Sequence, residues 1–121
     1  MSVRDRDVTQ WLHAKGALYA RSGQHQKGLA YLLMANRIAP DDISVLRSLA
    51  GVFTGHGDGQ RALSAIGRLS QLEGPTLSQQ LLRCRALWVM GDHVEARRCF
   101  RDYLQSTRDA ADAQPDHRSS P

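Results

Sequence analysis

The histidines are the residues whose chemistry is most easily judged from spacing. Two imidazoles can hold a metal when they lie one helical turn apart, as in HxxxH or HExxH, and neither pattern occurs in this chain. His25, His56 and His93 instead each lie beside a predicted turn between helices. Their position beside turns therefore explains these three histidines, and the sequence predicts no metal site.

Cys84 and Cys99 are the candidate thiol nucleophiles or metal ligands. Their spacing matches neither a zinc motif nor a disulfide framework. Both lie in sequence with a helical pattern, so we expect two buried free thiols in a reducing compartment.

Acid–base and nucleophilic catalysis find little support. Asp41 and Asp42 are adjacent carboxylates, but they follow Pro40 at the predicted start of a helix, where capping of backbone N–H groups explains them. No pattern combines a nucleophile, a base and oxyanion donors. We therefore predict no catalytic residues, no enzymatic activity and no cofactor.

The basic residues raise the question of nucleic acid. The 16 Lys and Arg against 12 Asp and Glu leave a net charge of +4, but the charges are dispersed and no five-residue basic block occurs. Arg97, Arg98 and Arg101 form a local patch without the aromatic platforms that single strands stack on. This patch is predicted to be a solvated or partner-facing end of the molecule.

Length and composition set the size of the fold that positions these residues. With 121 residues, 41% of them apolar, the chain has enough material for one modest core. Its longest apolar stretch, residues 29–35, is far below the roughly 18 residues of a membrane span. The N-terminus alternates charges where a signal peptide would be apolar, so neither a membrane span nor a cleaved signal is expected.

A repeat of 34 residues organises the chain. Residues of similar size and polarity recur at this interval in six columns, which are Gly23/Gly57/Gly91, Gly16/Ala50/Cys84, Tyr19/Phe53/Leu87, Gly28/Ala62/Ala96, Leu32/Ile66/Phe100 and Ala35/Leu69/Tyr103. The pattern predicts first helices over residues 8–21, 42–55 and 76–89, and second helices over 25–38, 59–72 and 93–107. Gly23, Gly57 and Gly91 would end the first helices, and Asp58 and Asp92 would cap the next ones.

The first copy, with Leu12, Gly16, Tyr19, Gly28, Leu32, Ala35 and Pro40, resembles the tetratricopeptide (TPR) repeat. The resemblance implies an all-α fold of three tandem TPR hairpins, 8–40, 42–74 and 76–107, forming a short right-handed solenoid. Residues 1–7 are expected to be a flexible N-terminus and 108–121 a disordered tail. Arg97 and Ser106 replace apolar residues of the earlier copies, so the array is predicted to end at three.

In the TPR family, the first helices line a concave groove. Carried over to this chain, the family's groove positions imply a partner-binding surface with small residues at its centre, an apolar anchor at one end and a basic rim. The implied residues are Gln10, His13, Ala17, Arg21, Arg47, Gly51, Thr54, Leu81, Arg85 and Trp88. Such a surface would fit an apolar segment flanked by carboxylates; binding through the convex face or the last helix, near Phe100 and Leu104, is the competing geometry.

The segments WLHAKGALYARSGQ and ALWVMGDHVEARRCFRDYL are similar to the small TPR chaperones of bacterial type III secretion, in particular the YscY family. The resemblance implies a cytoplasmic chaperone that holds a small exported protein, YscX-like, as a heterodimer and then engages the cytosolic domain of the export-gate protein at the inner membrane. Two alternatives stay open, namely a chaperone of the type III needle subunit and, from another class, an Arg-rich nucleic-acid adaptor. A soft chain that gains order on binding its guest is expected, because copy two is rich in glycine.

Overall fold

The computed structural model describes residues 2–113, and every regular element in that range is an α-helix. The six helices are α1 (Val3–Arg21), α2 (His25–Ile38), α3 (Ile43–Gly55), α4 (Gly59–Glu73), α5 (Leu77–Val89) and α6 (His93–Ala113). They pack as consecutive antiparallel pairs, α1 with α2, α3 with α4 and α5 with α6. The predicted all-α class is therefore confirmed.

The turn inside each hairpin has the same geometry. Gly23, Gly57 and Gly91 adopt φ values of 84°, 85° and 89°, a left-handed conformation that glycine reaches without a Cβ penalty. In each turn the glycine N–H donates to the carbonyl three residues earlier, at 3.0 to 3.1 Å. These hydrogen bonds recur at the 34-residue interval, so the predicted repeat is present in the backbone as well as in the sequence.

Side-chain caps begin most of the helices that follow a turn or a proline. Asp42 accepts from the N–H of Val45, Asp58 from that of Arg61, Thr76 from that of Gln79 and Asp92 from that of Glu95. The predicted capping role of Asp42, Asp58 and Asp92 is thus confirmed. Gln24, at the equivalent position before α2, makes no such bond.

The two helices of the first hairpin approach closely because two glycines face each other. A Cβ placed on Gly28 would lie 2.8 Å from the carbonyl oxygen of Gly16, and one on Gly16 would lie 2.7 Å from Cγ of Leu32. Neither distance is compatible with a real methyl group. Absence of a side chain at both positions therefore sets the distance between α1 and α2.

Successive hairpins contact each other unevenly. The first helices approach one another, α1 with α3 and α3 with α5, and each second helix packs on the next first helix. Within residues 2–113, α2, α4 and α6 do not pack against one another. The row of hairpins is therefore narrower on the side of α1, α3 and α5, which we call the inner face, and wider on the side of α2, α4 and α6.

Both ends of the chain differ from prediction. α1 begins at Val3 rather than at residue 8, and α6 continues to Ala113 rather than ending at 107. Residues 3–7 and 108–113, which the sequence placed in a flexible N-terminus and a disordered tail, are helical in the structure, because both stretches extend an existing helix and need no nucleation of their own. The rest of the predicted tail, 114–121, lies outside the described residues.

The prediction of free thiols is also wrong. Cys84 on α5 and Cys99 on α6 are joined by a disulfide, and their Cα atoms are 5.3 Å apart. The antiparallel packing of the two helices brings these residues together, which their spacing along the chain does not reveal. The thiol-based argument for a reducing compartment therefore no longer applies.

Across residues 2–113, no helix combines the length and the hydropathy that a membrane crossing requires.

Candidate functional site

The inner face presents one stripe of residues from each of α1, α3 and α5. Exposed or half-buried side chains recur on it at four positions of the 34-residue repeat. The positions are Gln10/Ser44/Ser78, His13/Arg47/Leu81, Ala17/Gly51/Arg85 and Arg21/Gly55/Val89. None of these residues is acidic, so the stripe is neutral or basic throughout.

The centre of the stripe, on α3, is free of side chains. A Cβ added to Gly51 would meet nothing within 4 Å, and one added to Gly55 would meet only Cε1 of His25, at 3.7 Å. Ala17 on α1 is half-buried beside them. A guest backbone can therefore approach α3 more closely than it could approach an ordinary helix.

Polar side chains at the edges of the stripe join the hairpins. His13 Nε2 and Ser48 Oγ lie 2.7 Å apart and connect α1 to α3. Arg47 donates to both carboxylate oxygens of Glu73, at 3.1 and 3.3 Å, and Gln79 of α5 donates to the same carboxylate at 2.7 Å. Arg47 is consequently held at the junction of hairpins two and three.

The charge available to a guest comes from the remaining cations. Arg21 and Arg85 are exposed, and neither takes part in an ion pair within residues 2–113. The predicted basic rim is thus carried by these two arginines, since Glu73 neutralises Arg47. Gln10 and Leu81 complete the predicted residues on the stripe, the first exposed and the second half-buried.

Two predicted residues lie elsewhere. Thr54 is only 6% exposed and donates its hydroxyl to the carbonyl of Ala50 at 2.7 Å, so it cannot contact a guest. Trp88 is 45% exposed but stacks on His93 of α6, with ring centroids 4.1 Å apart. The two residues are 34 positions apart and so equivalent in the repeat, but the first is buried and the second is exposed.

Five residues were not predicted, of which Ser44, Gly55, Ser78 and Val89 lie on the stripe and Ser48 lies at its edge. The repeat itself could have identified four of them. Adding the 34-residue period to Gln10 leads to Ser44 and Ser78, and adding it to Arg21 leads to Gly55 and Val89. Ser48 is different, because only its contact with His13 reveals its place.

Two clefts lie outside the inner-face stripe and are lined in part by the second helices of the hairpins. A cleft of about 590 Å³ lies between α4, α5 and α6 and includes Gln80, Arg83, Cys99 and Asp102. A second, of about 370 Å³, lies between α2, α3 and α4. Neither cleft is lined by a residue of the inner-face stripe, so the two surfaces are separate candidates for binding.

The histidines and acids of the described residues do not assemble a metal centre. The rings of His25 and His56 lie near each other at the turns of hairpins one and two, with centroids 6.1 Å apart. Across residues 2–113, no group of three or more His, Cys, Asp or Glu side chains is placed to share a metal ion.

Compared with models of known protein families and with curated proteins, the chain matches none.

Proposed function

We propose that this chain is a three-repeat TPR protein that holds a small exported polypeptide across its inner face, as a type III secretion chaperone of the YscY kind. The fold part of the proposal is supported by contacts that repeat with the sequence. Lys27 lies over the ring of Tyr19 at 5.6 Å, and Arg61, 34 residues later, lies over Phe53 at 5.8 Å. Together with the equivalent turns, these contacts are what tandem copies of one helical hairpin would produce.

The observation that carries the binding proposal is the open centre of the inner face. Gly51 and Gly55 leave the backbone of α3 accessible, Leu81 and Val89 offer apolar contact on α5, and Arg85 supplies an unpaired cation. An apolar segment with flanking carboxylates satisfies all three features at once. Holding such a segment would keep aggregation-prone surface out of water until export.

The proposed partners follow from the same surface and from the family resemblance. The guest is a YscX-like protein in a heterodimer, and the complex is delivered to the cytosolic domain of the export-gate protein from the bacterial cytoplasm. A needle subunit is the rival guest for the same face. Neither a membrane nor nucleic acid is part of the proposal.

The test is coexpression and copurification with candidate exported proteins, using one pair of matched variants. Gly51→Trp fills the centre of the inner face, and Gly67→Trp makes the same change on α4, where a Cβ also meets nothing within 4 Å. We expect Gly51→Trp and Arg85→Glu each to weaken the complex at least tenfold, and Gly67→Trp to leave it unchanged. An unchanged Kd with Gly51→Trp and Arg85→Glu would contradict the groove assignment.

A further inference from the structure

The outer side of the first hairpin is an apolar surface that the inner-face proposal does not use. By the spacing of their helices, Trp11, Lys15 and Leu18 share one face of α1, and Lys27, Tyr31, Met34 and Ile38 share one face of α2. We call these seven residues the end face. Trp11 is 54% exposed, Leu18 55% and Met34 47%.

The repeat shows what this position normally contacts. Val45, Leu49 and Val52 on α3 are the equivalents of Trp11, Lys15 and Leu18, and all three are buried. Ser48 lies on that same side of α3 and contacts His13 of the first hairpin. The side of α3 that corresponds to the end face is therefore covered by the preceding hairpin.

Terminal repeats of an array usually carry a polar outer surface because nothing covers them. The last hairpin follows this rule at Arg97, which is exposed where the earlier copies have Leu29 and Leu63. The end face does not follow the rule of a polar outer surface. On α2, Met34 stands where α4 has Arg68, and Tyr31 stands where α4 has Ala65. At these two positions α2 therefore carries a larger apolar surface than α4 does.

The two aromatic rings of the end face form one connected cluster with Tyr19 and two cations. Tyr31 stacks on Tyr19 at 5.5 Å and meets Trp11 edge to face at 6.0 Å. Lys15 lies over Trp11 at 5.7 Å, and Lys27 lies over Tyr19. These are the only two lysines of the chain, and neither is in an ion pair within residues 2–113.

We infer that the end face is a second docking site, which binds an amphipathic helix of a partner protein that carries acidic residues beside its apolar stripe. In hairpin two the equivalent surface of α3 is covered by a helix, α2, and carboxylates would complement Lys15 and Lys27. Arg4 and Asp7 also lie on this side of α1, so basic groups remain in excess.

Charge disfavours a second copy of the chain as the occupant. A two-fold axis that brought two end faces together would place one basic surface against another. Stacking the end face on the last hairpin of another copy would bring Arg97 and Arg101 toward Lys15 and Lys27. Like charges at a contact reduce affinity, so neither arrangement matches the surface.

The experiment uses a synthetic 18-residue helical peptide with a leucine stripe flanked by glutamates, and a second peptide with lysines in place of the glutamates. Affinity is measured by fluorescence anisotropy on the full chain. We expect the glutamate peptide to bind at least tenfold more tightly than the lysine peptide. The double variant Lys15→Glu/Lys27→Glu should reverse that preference, and equal affinities for the two peptides would contradict the inference.

Two leucines provide a matched control for location. Leu18→Glu on the end face should weaken the glutamate peptide at least tenfold, whereas Leu104→Glu, at a leucine that is 53% exposed on α6, should not. Because the proposed inner face would also accept an apolar segment with carboxylates, the comparison is repeated in a Gly51→Trp background, where the preference for the glutamate peptide and its loss with Leu18→Glu should both persist. If Gly51→Trp abolishes peptide binding and Leu18→Glu does not, the peptide occupies the inner face, and the end-face inference fails while the proposed function stands.

Sedimentation of the free chain tests the remaining occupant. A dimer that Leu18→Glu dissociates would identify a second copy of the chain as the occupant and overturn the inference.

Discussion

At the scale of single residues, glycines play opposite parts in this molecule. Gly16 and Gly28 are buried where α1 and α2 approach, and their missing side chains permit that approach. Gly51 and Gly67 lie on exposed helical surface with nothing within 4 Å of a Cβ. Each of the latter weakens its helix and gains no packing in return within residues 2–113.

Replacement of glycine by alanine is therefore expected to lower the free energy of unfolding at Gly28 and to raise it at Gly67. Gly28→Ala places a Cβ 2.8 Å from the Gly16 carbonyl oxygen and 2.9 Å from the Ala20 nitrogen, and backbone atoms cannot move away cheaply. We expect a loss of about 1–3 kcal/mol in the free energy of unfolding. Gly67→Ala should instead stabilise the chain by about 0.5–1 kcal/mol. Urea unfolding followed by circular dichroism measures both, and a stable Gly28→Ala variant would show that the helices are less tightly packed than described.

At the scale of elements, the third hairpin is held differently from the other two. α3 buries seven residues, whereas α6, which is longer, buries only Ala96. The Cys84–Cys99 disulfide joins α6 to α5 and closes a loop with a sequence separation of 15 residues. A covalent link thus supplements a contact that the apolar core supports only weakly.

Reduction is therefore expected to destabilise hairpin three. Closing a loop of this length constrains the unfolded chain by about 3 kcal/mol in the loop-entropy model. Dithiothreitol should lower the Tm of the wild-type chain and have no effect on a Cys84→Ala/Cys99→Ala variant. Alkylation under denaturing conditions without reductant provides the check, because two rapidly modified thiols in the untreated protein would mean that the bridge is absent.

At the scale of the whole molecule, the middle hairpin is the only one with a neighbour on each side among the described residues. α3 contacts helices of all three hairpins, and Val45, Leu49 and Ala50 on it are 0 to 2% exposed. The two outer hairpins each leave one side open. Stability is accordingly expected to decrease from the middle of the array toward its ends.

Amide hydrogen exchange measured by mass spectrometry tests this gradient. We expect the slowest exchange in α3 and α4, because their hydrogen bonds open only when both neighbouring hairpins separate. α6 beyond Ser106 should exchange fastest, since its exposed surface lacks tertiary support. Uniform protection across all six helices would instead indicate that the array unfolds as a single cooperative unit.

Local features of the fold were predictable from residue types and the 34-residue period. The left-handed glycines, the aspartate caps and the hairpin pairing depend on interactions within a few residues, and such interactions are encoded in neighbouring positions. The same period, applied to Gln10 and Arg21, would also have completed the inner-face stripe.

Other features depended on how the hairpins stack, and tertiary structure alone decided them. Arg47 meets Glu73 across 26 residues, Cys84 meets Cys99 across two helices, and Thr54 is buried where its equivalent Trp88 is exposed. A side chain's partner across such a distance is set by the relative position of whole helices, which no local pattern specifies. For the same reason, the stacking of hairpins alone distinguishes the end face from its equivalent on α3, since Val45 and Val52 are buried whereas Trp11 and Leu18 are exposed.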